Sequence, residues 1–289
     1  MKKNSIILSI LLLIFITILI ILLPITYKTV KAYHDSNNFV DSIINIHQNN
    51  LEQVFKINKI TYFSSCNAKG DTNSNSSFTI TDLYQYTDIA IFISPVSNSL
   101  NSKNTLKNVL INNIQYDITP SVGNQNLYYK RLPDFATSKY SQENIIDKSI
   151  KFETTSENNI DYSEPVLYNN CANPITICYV NSGIKENYTF SNDISKLAYN
   201  GSLLKMCGVA LSSLNCKISL DITITNNLNE SFFCPITLNI PLSTESSTIY
   251  DGNLTINDSV NYSFIKNWLK IKIKNKKCKN KYKSIKGQD

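Results

Sequence analysis

The chain has 289 residues, with 28 Lys or Arg, 22 Asp or Glu, 7 Gly and His at positions 34 and 47 alone. A body without histidine excludes His-based dyads and triads, and so few glycines exclude a Gly-rich phosphate cradle. The formal charge of +6 is uneven: residues 1–34 carry four Lys and no acid, residues 266–289 carry ten Lys against Asp289, and 35–265 is left at −7.

The first element is the run Ser5–Leu23, nineteen residues without a charge. At helical rise it spans roughly 28 Å, the thickness of a bilayer's hydrocarbon core. A cleaved signal peptide has a shorter apolar stretch of about 7–15 residues. The tolerable cleavage site here, Val30-Lys31-Ala32, lies well downstream. The expectation is therefore an uncleaved single-pass anchor in the cell membrane, with the lipid bilayer as partner. Residues 1–4 form a cytoplasmic stub that needs no translocation, and the body lies outside the cytoplasm.

Residues 24–58 read as a helical stalk. Val40, Ile43, Ile44, His47, Leu51, Val54 and Phe55 fall on one helical stripe, with Ser36 able to cap it. From Lys59 the period changes from 3.6 to 2. Residues 88–94 (DIAIFIS) form a short apolar run ended by Pro95, as in a strand buried on both faces. Further strands are expected at 105–119, 127–131, 150–153, 166–168 and 175–180, the last closed by the turn signal Asn181-Ser182-Gly183.

The clearest pattern is a hairpin over 214–242. Its first arm alternates Leu214, Cys216, Ile218, Leu220, Ile222 and Ile224 with polar residues. Its second places Phe232, Cys234, Ile236, Leu238, Ile240 and Leu242 on one face. Pro235 and Pro241 cannot donate to a ladder, which makes the second arm an edge strand. Residues 250–265 supply one or two more strands. The body, 59–265, is expected to be an antiparallel β-sandwich, Ig-like or jelly-roll-like, in one piece or as two modules meeting near 157–164.

Seven cysteines occur, none spaced C-x-x-C, so a zinc site is not expected. Outside the cell some could pair. A hairpin centred near Leu228 sets Cys234 against Ile222 and Cys216 against Ile240. The two sulfurs are then roughly 20 Å apart, beyond disulfide reach.

The stretch 71–82 resembles an EF-hand-type calcium loop, with Asp71, Asn73, Asn75, Ser77 and Asp82 at ligand positions. Ser76 replaces the turn glycine and Asp82 replaces the bidentate Glu, so the loop is a poor match and no metal is expected. Ser202…Lys205 matches S-x-x-K, but the companion K-T-G is absent and Ser263…Lys266 matches equally. Seven Asn-x-Ser/Thr sequons are what 39 Asn produce by chance. No catalytic residue and no cofactor emerges.

The C-terminal 266–289 is a Lys-rich tail able to meet an anionic surface. It has no Arg for phosphate forks, so specific nucleic-acid binding is not expected. The expected function is non-enzymatic adhesion or surface assembly with an undefined protein or glycan partner. The alternative is an envelope glycan hydrolase using a carboxylate pair that nothing in the sequence marks out. The layout of apolar helix, amphipathic helix and β-domain also resembles a pilin-like subunit. The pilin leader glycine and the Glu inside the apolar run are missing.

Overall fold

The structure, a computed structural model, describes residues 26, 27, 29–31, 34, 35, 53–72, 77–98, 100–168, 174–190 and 197–266. The apolar run 5–23, most of the expected stalk and the tail beyond Lys266 lie outside the described residues. Among the described residues no helix is long and apolar enough to cross a membrane. Thr26, Tyr27, residues 29–31, His34 and Asp35 are helical and exposed.

Gln53–Asn267 forms one compact unit. Its strands are β1 (Phe55–Thr72), β2 (Phe78–Pro95), β3 (Leu106–Ile118), β4 (Asn124–Tyr129), β5 (Ser149–Thr155) and β6 (Val166–Tyr168). They continue with β7 (Pro174–Lys185), β8 (Tyr188–Phe190), β9 (Lys217–Asn226), β10 (Ser231–Asn239), β11 (Leu254–Ser263) and β12 (Ile265–Lys266). The unit is thus an all-β domain with few helical turns.

The strands form two sheets. The first runs β11-β1-β2-β7-β4, with β8 pairing the start of β2. The second runs β12-β10-β9-β3-β5-β6. Neighbours are antiparallel except β5 and β6. The inward faces meet in one apolar cluster, with Ile89, Ile91, Ile177 and Tyr179 from the first sheet and Val109, Ile222, Ile224 and Leu238 from the second. The arrangement is β-sandwich-like. Phe264, 5% exposed, marks the point where the chain leaves β11 in one sheet for β12 in the other.

β1 and β2 are each 18 residues long and outrun the second sheet. Their far ends are covered by a second apolar cluster, in which Leu203 and Leu204 of the short helix Ser202–Met206 pack with Cys66, Ile80, Leu83 and Ile249.

Several expectations meet the structure directly. Of the run 88–94, residues 88–91 are buried on both faces, as are 83–87 before them, while Phe92 and Ser94 are half-buried; Pro95 ends the strand. The hairpin register places Cys234 opposite Ile222, and the Ile240 amide donates to the Cys216 carbonyl. β12 covers Phe232 and Phe233 alone, so the proline-bearing part of β10 has no described neighbour on its outer side.

Three expectations differ. The hairpin's strands, Lys217–Asn226 and Ser231–Asn239, are shorter than 214–242, and Leu214, in a 3-10 turn, and Leu242 pack in the second apolar cluster. β1 opens at Phe55, four residues before Lys59, and Val54 and Phe55 lie in the sandwich core rather than on a helical stripe. Phe55 pairs with Pro95, and from there the ladder with β2 decides the conformation. Asn181-Ser182-Gly183 does not end β7, which runs on to Lys185. The register with β2 shifts between Leu83 and Gln85, so these residues form a bulge. Gly183 supplies its left-handed φ of 65°, and its amide donates to Asp82 Oδ1 at 2.8 Å.

Candidate functional site

Alternation along β2 turns Ile89, Ile91 and Ile93 into the sandwich and Tyr84, Tyr86 and Asp88 away from it. On that outer face Asp88 lies opposite Cys178 of β7, and Cys178 lies opposite Tyr128 of β4. Lys130 follows β4 directly. Its amide donates to the Thr176 carbonyl and the Thr176 hydroxyl donates back to its carbonyl at 2.6 Å. From there Lys130 reaches across β7 to Asp88.

The Lys130 ammonium donates to both oxygens of Asp88, at 2.7 and 2.8 Å. It also donates to the Thr137 carbonyl at 2.5 Å. The Ala136 amide donates to Asp88 Oδ2 at 2.7 Å. Ala136 adopts φ 62°, a conformation costly for a residue with a Cβ, which the surrounding contacts hold in place. The Lys130 nitrogen lies 5.2 Å from the centre of the Tyr86 ring.

The pair is sealed. The side chains of Lys130 and Asp88 are 1% and 0% exposed. The chain after Lys130 covers this face, with Tyr140 packed on Tyr84 and Tyr128. Burial pushes the Asp88 carboxyl up, against the pull of the Lys130 charge. Burial, reinforced by the Asp88 charge, pushes the Cys178 thiol well up, so it stays protonated. Burial likewise raises Tyr86 to about 12. The cluster is thus an amine, a carboxyl and a protonated thiol closed off from solvent. It can hold three strands together, but it cannot meet a substrate arriving from solution.

On the inward face of the same strands, Ser64, Thr87 and Gln85 form a buried polar chain through the Thr87 hydroxyl, with 2.8 Å contacts on either side. This chain divides the two apolar clusters.

The residues singled out from sequence are dispersed. Asp71 ends near the tip of β1, opposite Thr79, and Ser77 precedes β2. Asp82 accepts from Gly183 and pairs with Lys69 at 3.4 Å. Asn73 and Asn75 lie outside the described residues. Among the described residues, no three His, Cys, Asp or Glu converge as a metal site. The Ser202 hydroxyl donates to Asn200 at 2.7 Å, and Lys205 is exposed on the short helix. Cys66, Cys178, Cys207, Cys216 and Cys234 are buried free thiols; Cys171 and Cys278 lie outside the described residues.

The Asp88–Lys130 pair was missed because its members are 42 residues apart and each sits in an ordinary strand context. One signal could have found it. An acid opening a run buried on both faces requires a buried cation, and Lys130 follows the other apolar strand of that sheet. Comparison with family models, with curated proteins and with solved structures returned no match for this chain.

Proposed function

We propose that the protein is a single-pass, membrane-tethered adhesion or assembly module, non-enzymatic, with an Ig-like or jelly-roll-like sandwich displayed outside the cell. The observation that carries this reading is the sealed patch around Asp88, where β2, β7 and the end of β4 meet on the outer face of the first sheet. Asp88, Lys130 and Cys178, at 0–2% exposure, are spent on joining strands rather than on facing a ligand. Such a sheet suits a rigid body that presents its surface. The uncharged run Ser5–Leu23 supports the tether, and the Lys-rich tail supports contact with an anionic surface.

Protease treatment of intact cells tests the display. The expected result is loss of the body's immunoreactivity without detergent, together with weakened attachment of cells lacking the protein. A body that stays intact while other surface proteins are cut overturns the reading.

A further inference from the structure

We propose that Lys130 and Asp88 condense to an intramolecular amide, so that the mature chain carries a covalent staple joining β2 to the end of β4 across β7. The inference rests on the geometry of the pair and is independent of what the body binds.

The reacting atoms are already together. Nitrogen–oxygen distances of 2.7 and 2.8 Å to the two carboxyl oxygens place the Lys130 nitrogen about 3 Å from the carboxyl carbon, within near-attack range. Neither side can drift. Asp88 is held in β2 between β1 and β7, and Lys130 is tied at its backbone to Thr176 in both directions. Groups held in this way have effective molarities of about 10⁵–10⁸ M, enough for a reaction that is negligible between free lysine and free aspartate.

The site also favours an uncharged product. A buried ion pair is expensive, whereas a neutral amine, a neutral acid, an amide and a water molecule carry no charge to desolvate. Transfer of one proton from the ammonium to the carboxylate gives the first two. The nitrogen lone pair then forms the C–N bond, and the C–O bond to the protonated oxygen breaks. That hydroxyl leaves with a second proton from nitrogen as water, and the third hydrogen remains on the amide nitrogen. Nothing is oxidised or reduced and no co-reactant is needed.

The neighbours match these steps. The Ala136 amide, 2.7 Å from Oδ2, donates to the oxygen on which negative charge builds in the tetrahedral intermediate. The Thr137 carbonyl, 2.5 Å from the nitrogen, accepts one of its hydrogens and aims the lone pair. Ala90, rather than a longer side chain, lies beside Thr176 on the outward face and leaves the path from Lys130 to Asp88 open. Cys178 stays protonated beside Asp88 and adds no third charge.

The test is the intact mass of the full-length chain, purified in detergent and reduced. Its fold is checked by protection of the buried cysteines from alkylation. The expected mass is lower than the sequence mass by one water molecule. A tryptic digest should contain one branched species joining the peptides of Asp88 and Lys130, uncut after Lys130. Lys130→Arg, which keeps the charge but blocks condensation, should restore the full mass. A folded wild-type chain at full mass, with the two residues in separate unmodified peptides, overturns the proposal. So does a water loss confined to the Asp88 peptide without linkage to Lys130.

Discussion

β2 and the β9–β10 hairpin carry comparable runs of apolar residues but bury them differently. In β2, residues 83–91 are covered on both faces, by the two apolar clusters and the polar chain between them on one side and by the chain after Lys130 on the other. In the hairpin, Ile218, Leu220, Ile222, Ile224, Ile236 and Leu238 face the core, while Ser219, Thr223, Thr225 and Thr237 line a half-exposed outer face. The difference teaches where a polar residue is tolerated. On the hairpin's outer face a threonine meets water at little cost. On the outer face of β2 a carboxylate must bring its own cation, and Asp88 takes Lys130 from two strands away.

The largest effect should come from breaking the doubly covered strand at its charge. Asp88→Ala leaves the Lys130 ammonium buried without a counter-ion and should cost at least about 3–5 kcal/mol, more where the amide has formed, read as a lower urea midpoint. Next is the hairpin's inner face, where Leu220→Ala removes a 2% exposed side chain and should cost about 2–5 kcal/mol. Thr223→Ala, on the opposite face of the same strand, should change stability by less than about 0.5 kcal/mol. Equal losses at 220 and 223 would break the one-wet-face description.

Gly183→Ala should cost about 1–2 kcal/mol, because φ 65° is unfavourable for a residue with a Cβ while the space around it is adequate. The smallest effect belongs to the turn that joins the hairpin's arms. Glu230 accepts from Lys266 at 2.8 Å and from Asn226 at 3.0 Å, and these bonds hold its carboxyl below the ordinary 4.5. A carboxyl depressed in the fold adds stability above its unfolded value and loses it as pH falls through the folded value. Acid titration below pH 4.5 should therefore reveal a loss of a few tenths of a kcal/mol that Glu230→Gln abolishes, small because the pair is solvent-screened.

Sequence patterning was most informative where one rule governs a whole element. Strict alternation gave the hairpin and its register down to the Cys234–Ile222 pair, because one wet face and one dry face leave a single way to pair. The apolar run at 88–94 gave the doubly buried strand, though not its full extent from Phe78. It failed at Val54 and Phe55, where helical spacing and strand spacing both fit and the ladder to Pro95 decides. It failed at Gly183, where a turn signal serves as a bulge. The Asp88–Lys130 cluster was illegible for a different reason. It is created by the order of strands β2, β7 and β4, and strand order is not written in any local pattern.

Hydrogen–deuterium exchange of the full chain in detergent most directly tests the contrast between a strand sealed on both faces and a hairpin open to water. Amides 85–91 of β2 should exchange only with global unfolding, while some amides of β10 between 236 and 239, beyond the cover of β12, should exchange sooner. Protection at 236–239 that outlasts protection at 85–91 would contradict that contrast.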